Sequence, residues 1–143
     1  MKKLPEHGVC FVCGRSNPHG IRVTWYAGDD GRITSQFTLS EAQQGPPGYA
    51  HGGCSAALLD EAMGAAIWLA GHNVAVVKLE LNYQHPLPLG ECLSLEARMT
   101  RRLERKIFAR GEIRLPDGRV AVTGRGIYVI APQLFEAVRF REQ

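Results

Sequence analysis

The sequence predicts an α+β fold in which one long central helix is wrapped by a curved antiparallel sheet of five to six strands. Three observations carry this reading. The nineteen residues from Gly52 to Ala70, GGCSAALLDEAMGAAIWLA, are apolar except for the adjacent Asp60 and Glu61, and a helix apolar on nearly every side must be enclosed. Val74 to Tyr83 alternates, with Val77, Leu79, Leu81 and Tyr83 against Val76, Lys78, Glu80 and Asn82, which is the period of a half-buried strand. Pro116-Asp117-Gly118 separates two further alternating segments, a strong hairpin signal.

In chain order, residues 1–20 read as a short N-terminal extension. MKKLPEHGVC follows its two lysines with Pro5, Glu6 and His7 instead of an apolar stretch, so no export signal is expected and the setting is expected to be cytoplasmic, with reduced thiols. Ile21 to Tyr26 leads through Gly28-Asp29-Asp30-Gly31 into Arg32 to Leu39, a hairpin by composition. The helix follows, then the Val74–Tyr83 strand, which His85-Pro86-Leu87-Pro88 ends. Leu89-Gly90 turns the chain into Glu91 to Leu103, and Lys106 to Leu115 and Arg119 to Ala131 complete the sheet. No repeat or linker interrupts the 143 residues, so 1–143 are expected to form one domain.

Composition narrows the function. A net charge of +3 and a pI near 8.8 suit an anionic small ligand and are too weak and dispersed for nucleic acid. A membrane partner is not expected either, because Asp60 and Glu61 at the centre of the apolar run would each cost about 2.5–3.5 kcal/mol in a bilayer.

The two carboxylates are the first functional candidates. A carboxylate among Ala, Leu, Met, Ile and Trp loses solvation and gains basicity unless a partner compensates. Just upstream, Tyr49-Ala50-His51-Gly52-Gly53 enters the helix with free backbone amides, which bind anions. A buried base plus an amide anion hole is the minimum needed to hydrolyse an activated acyl group. The C-x-x-C of Cys10 and Cys13, flanked by His7 and His19, has zinc-knuckle spacing. The preferred reading is a structural loop with idle thiols and no metal or cofactor; zinc completed by His7 and His19, or a redox pair, are the alternatives.

GPPGYAHGGCSAALLDEAMG resembles the His-Gly-Gly…Leu-Asp motif of acyl-CoA thioesterases of the phenylacetate-pathway (PaaI-like) type, within the hotdog-fold 4-hydroxybenzoyl-CoA thioesterase superfamily. KLELNYQHPLPLGE, with its Asn-Tyr-x-x-Pro, resembles the family's next strand. The resemblance runs from about Gln36 to Ile130 and implies a hotdog fold and hydrolysis of an acyl-CoA to acid and CoA. It places the catalytic carboxylate on Asp60 and the oxyanion amide on Gly52, with Gly53 beside it, and makes His51 a loop-shaping residue. The family's amide side chain before His-Gly-Gly falls on Gly45, leaving Gln44 as the candidate. Its water-supporting Ser or Thr falls on Val76, which has no hydroxyl.

Gly52 and Asp60 are eight residues apart, about 12 Å along a helix at 1.5 Å per residue, so one chain cannot easily bring both to one carbonyl. Two antiparallel copies of the helix can, which implies a homodimer or a tetramer of two dimers. Small Gly64, Ala65 and Ala66 would permit the approach. Met63, Ile67 and Trp68 are candidates to line an acyl slot, with Val76 beside them, and Arg101, Arg102, Arg105 and Lys106 to hold CoA phosphates. Two alternatives stand: a hotdog acyl-thioester hydratase or dehydratase using His51, and a non-catalytic acyl-CoA-binding or regulatory module.

Overall fold

The computed structural model describes residues 1–135. The apolar run forms a single helix, α1 (Gly52–Leu69). No helix among the described residues is long and apolar enough to cross a membrane. Among the described residues seven strands accompany it: β1 (Lys2–Lys3), β2 (Tyr26–Ala27), β3 (Ile33–Thr38), β4 (Val74–Tyr83), β5 (Cys92–Leu103), β6 (Lys106–Arg114) and β7 (Val120–Ile130). They make one sheet in the order β1-β2-β3-β5-β6-β7-β4, antiparallel throughout. One long helix packed on a single antiparallel sheet is the hotdog architecture.

The strand count exceeds the expected five to six because Lys2–Lys3 pairs with Tyr26–Ala27. The expected Ile21–Tyr26 strand is mostly absent, for a physical reason. The amides of Ile21 and Val23 donate to the carbonyls of Phe11 and Val12, each at 2.9 Å, so this segment laces the N-terminal loop together before pairing with β3 begins at Tyr26. The extension is therefore built into the fold, and Leu4, Val12, Cys13, Val23 and Trp25 are buried in the core.

Leu58, Leu59, Ala62, Met63 and Ile67 of α1 are fully buried against Ile33, Leu93, Ile107, Ile113 and Val122 of the sheet. Leu59 of the helix packs over Gly111 and Gly124, which face each other across β6 and β7. A Cβ on Gly111 would lie 3.0 Å from Leu59 Cδ2 and 3.1 Å from the Glu96 carbonyl.

The register of β4 departs from simple alternation, as do those of β5 on β6 and β6 on β7. Pairing of β4 with β7 slips between Val76 and Lys78, leaving Val77 as the extra residue of a bulge. The bulge reverses the phase, so Val74 and Val76 face the same cavity as the helix, while Val77, expected to share a face with Leu79 and Leu81, is 57% exposed.

Candidate active site

The chain enters α1 through a tightly braced loop. Ser40 and Gln43 form a reciprocal capping box on a short helical turn, and the Gln43 carbonyl accepts the His51 N–H at 2.7 Å. A Cβ on Gly45 would sit 2.7 Å from His51 Cα, so this position has no room for a side chain. Gln44 Oε1 accepts the Gly48 N–H at 3.1 Å, which ties that amide to the Pro46-Pro47 turn. His51 is the N-cap residue, and its Nδ1 accepts the Gly53 N–H at 2.8 Å. Gly53 is thereby occupied as a donor. Gly52 is exposed, and its N–H has no hydrogen-bond partner among the described residues, while its carbonyl accepts Tyr83 Oη at 2.6 Å. One free amide at the positive end of a helix can stabilise a developing oxyanion.

Two turns along, Asp60 is half-buried. Tyr128 Oη of β7 lies 2.9 Å from Asp60 Oδ1 and 2.9 Å from its carbonyl. Burial pushes the Asp60 carboxyl above its usual value, and the tyrosine hydrogen bond opposes the rise. Burial and the neighbouring carboxylate push the Tyr128 hydroxyl up in turn, so it acts as a donor. Its ring folds back over Gly126, where a Cβ would stand 2.5 Å from Tyr128 Cε2.

Asp60 opens on a cavity of about 410 Å³ between α1, the start of β4 and the N-terminal extension. Ala57, Gly64, Ala65, Trp68, Val74 and Val76 supply much of its apolar lining. Met63 and Ile67, expected as slot residues, do not line it: they are fully buried on the sheet side of the helix, as their four-residue spacing from Leu59 dictates. Ala66 is buried with them, which leaves Gly64 and Ala65 as the small residues of the outward face. Arg101 and Arg102 are exposed at the β5–β6 hairpin and are absent from the cavity. The Arg101 guanidinium stacks on Phe108 at 4.7 Å, and Arg102 donates to the Glu104 carbonyl.

Glu61 takes a different direction from Asp60, as a step of about 100° around a helix requires. Its Oε2 accepts the Trp25 indole N–H at 2.6 Å and its Oε1 lies 2.7 Å from Cys10 Sγ. Burial, with the Cys10 thiol, pushes its carboxyl up to about 7. The possible metal ligands cluster here: donor atoms of His7, Cys10, Cys13 and Glu61 lie within 4.8 Å of one another. His19, a ligand only in the zinc alternative, is held instead in the Asn17 turn, where its backbone N–H donates to Asn17 Oδ1. The extension thus reaches the residue beside Asp60.

Sequence reasoning missed Tyr128 and Trp25. A signal for the first was present in Gly124-Arg125-Gly126-Ile127-Tyr128: alternate glycines in a strand mark close approach, and a buried tyrosine hydroxyl needs a partner.

A family model described as the Thioesterase superfamily matches residues 47–122. The chain is 34% identical over 87 residues to acyl-coenzyme A thioesterase THEM4 of Xenopus laevis, covering 60% of this chain and 39% of that protein. It therefore spans less than half the length of that relative. A crystal structure of a thioesterase superfamily protein superimposes with a TM-score of 0.81 at 37% identity, over 84% of this chain and 62% of the other. The PaaI protein of the Escherichia coli phenylacetic acid degradation operon matches with a TM-score of 0.71 at 17% identity, over 78% and 80% of the two chains; at that identity the likeness is one of fold.

Proposed function

The chain belongs to the Thioesterase superfamily, and on that footing we propose that it hydrolyses acyl-CoA thioesters to free acid and CoA, with Asp60 as base or nucleophile and the Gly52 N–H as oxyanion donor. The observation that carries the proposal is one helix offering both an unpartnered N-terminal amide and a half-buried carboxylate. In the general-base route Asp60 takes a proton from water as its oxygen bonds to the carbonyl carbon. Gly52 N–H stabilises the oxyanion, and collapse breaks the carbon–sulfur bond and releases CoA thiolate, which takes up a proton. In the nucleophilic route Asp60 attacks first and water cleaves the resulting anhydride. The use of His51 Nδ1 as a helix cap favours hydrolysis over a hydratase reaction, which would require His51 at the substrate.

The working unit is a homodimer, alone or as half of a tetramer. Along one continuous helix Gly52 and Asp60 stand about 12 Å apart, so a carbonyl within about 3 Å of both needs the amide of one chain and the carboxylate of another. The outer edge of β4 supports this: the strand ends the sheet with no further partner among the described residues, and it exposes Val76, Val77 and Tyr83. A long edge strand with exposed apolar side chains is a template for pairing. The acyl chain is assigned to the cavity beside Asp60, with Val76 part of its wall, and Arg101 and Arg102 are assigned to the CoA phosphates. Gln44 and Gly53 shape the entry loop in this reading. Residues 1–135 act as one hotdog domain, the remainder of the expected 1–143 lying outside the described residues, and the free thiols of all four cysteines support a cytoplasmic setting.

The test is release of free CoA, followed with a thiol reagent, over short, medium, long-chain and aryl acyl-CoAs. Turnover by the wild-type protein on at least one ester is expected, with Asp60→Asn lower by about 100-fold or more and still folded. Wild-type turnover in that variant would sink the assignment.

A further inference from the structure

We propose that His7, Cys10, Cys13 and Glu61 form a four-coordinate zinc site that staples the N-terminal extension to α1 beside the candidate active site. The four residues offer one nitrogen, two sulfurs and one oxygen, all within 4.8 Å of one another. Tetrahedral zinc with bonds of about 2.0–2.3 Å places neighbouring ligand atoms about 3.6 Å apart, so the widest separation has to close by about 1 Å and the 2.7 Å contact between Cys10 Sγ and Glu61 Oε1 has to open by about as much. Two thiolates and an imidazole select zinc over the hard cations that favour oxygen.

The backbone is shaped for sulfur ligands. Gly14 follows Cys13 where a Cβ would fall 2.3 Å from the Cys10 nitrogen and 2.4 Å from the Gly8 carbonyl, so only glycine closes this turn. The Cys10 N–H donates to the His7 carbonyl at 3.0 Å and the Gly14 N–H to the Cys10 carbonyl at 2.9 Å, which holds His7, Cys10 and Cys13 in one tight turn. Glu61 is equally prepared. The Trp25 indole holds Oε2, leaving Oε1 directed at the sulfurs, and such outer hydrogen bonds orient metal ligands.

Charge supports the same conclusion. No lysine or arginine is among the residues that line the cavity around Cys10, Cys13 and Glu61. Fully deprotonated, the cluster carries up to three negative charges in a partly buried place, which a divalent cation offsets. As each zinc–sulfur bond forms, the proton remaining on a thiol leaves to solvent. The ion would clamp residues 7–13 onto the helix at the residue after Asp60, fixing the wall of the cavity that His7, Cys10, Cys13 and Glu61 help to line.

The test reads metal and not turnover, so it stands apart from the hydrolase proposal. Tag-free protein from zinc-supplemented cells should contain about one zinc per chain by elemental analysis. Protein stripped and reloaded with cobalt(II) should show thiolate-to-cobalt charge-transfer absorption and the intense visible bands of tetrahedral cobalt. Cys10→Ser with Cys13→Ser should lose the metal, His19→Ala should keep it, and Trp25→Phe should weaken its binding by about 10- to 100-fold. Trace zinc only, with no charge-transfer band in the unmodified protein, would overturn the proposal without dependence on any variant's folding. Full retention of metal by the double cysteine variant would overturn it as well.

Discussion

Asp60 depends on a single hydroxyl. Tyr128 Oη bridges its Oδ1 and its carbonyl, each at 2.9 Å, so the tyrosine both orients the carboxylate and limits the rise that burial imposes on it. Hydrogen bonds to charged groups contribute about 1.5–3 kcal/mol. Tyr128→Phe keeps the ring against Gly126 and removes only the donor. Its kcat is therefore expected to fall by about 10- to 100-fold with little change in the folded structure, and steady-state kinetics with near-ultraviolet circular dichroism would check both parts. An unchanged kcat would mean that Asp60 is oriented by something other than Tyr128.

Helix and sheet meet through glycines, and this sets the tolerance of each strand. Gly111 and Gly124 admit the Leu59 side chain, and Gly126 admits the Tyr128 ring. At Gly111 the neighbour at 3.1 Å is the Glu96 backbone carbonyl, which cannot swing aside as a side chain can. Gly111→Val is expected to cost about 1–3 kcal/mol through overpacking, seen as a lower urea midpoint at unchanged slope. Gly126→Ala acts on chemistry instead: a methyl 2.5 Å from Tyr128 Cε2 displaces the ring, so its turnover should drop toward that of Tyr128→Phe. Wild-type turnover in this variant would show that the tyrosine's packing does not govern Asp60.

For the molecule as a whole the decisive quantity is the distance of about 12 Å between Gly52 and Asp60 along one helix. Gly52→Pro suits a test of shared sites, because proline is favoured at the first helical position and removes only the N–H in question. The preceding His51, at φ −64 and ψ 140, already has the extended conformation that a following proline demands. Mixing this variant with Asp60→Asn in equal amounts makes half the dimers mixed, each with one of two sites intact. Activity should return to about one quarter of wild type under the proposal that each site draws on both chains. Mixed dimers demonstrated by native mass spectrometry that remain inactive would place both groups in one chain.

Local chemistry made much of this protein legible before any fold was known. The length of α1, the strand at Val74–Tyr83 and the Pro116-Asp117-Gly118 hairpin follow from periodicity and turn residues. These are signals carried within a few residues by side-chain polarity and backbone sterics. The motif around Gly52 and Asp60 was legible in the same way, because cap, helix and carboxylate lie in one continuous segment. Contacts across the chain were decided only by tertiary structure. Tyr128 reaches Asp60 across 68 positions, and Cys10 reaches Glu61 across 51. The phase of β4 turns on a bulge that alternation does not encode, and the helical rotation that buries Met63 and Ile67 leaves Trp68 to the cavity. Such pairings depend on which surfaces the sheet and the extension bring together, and no local propensity specifies that.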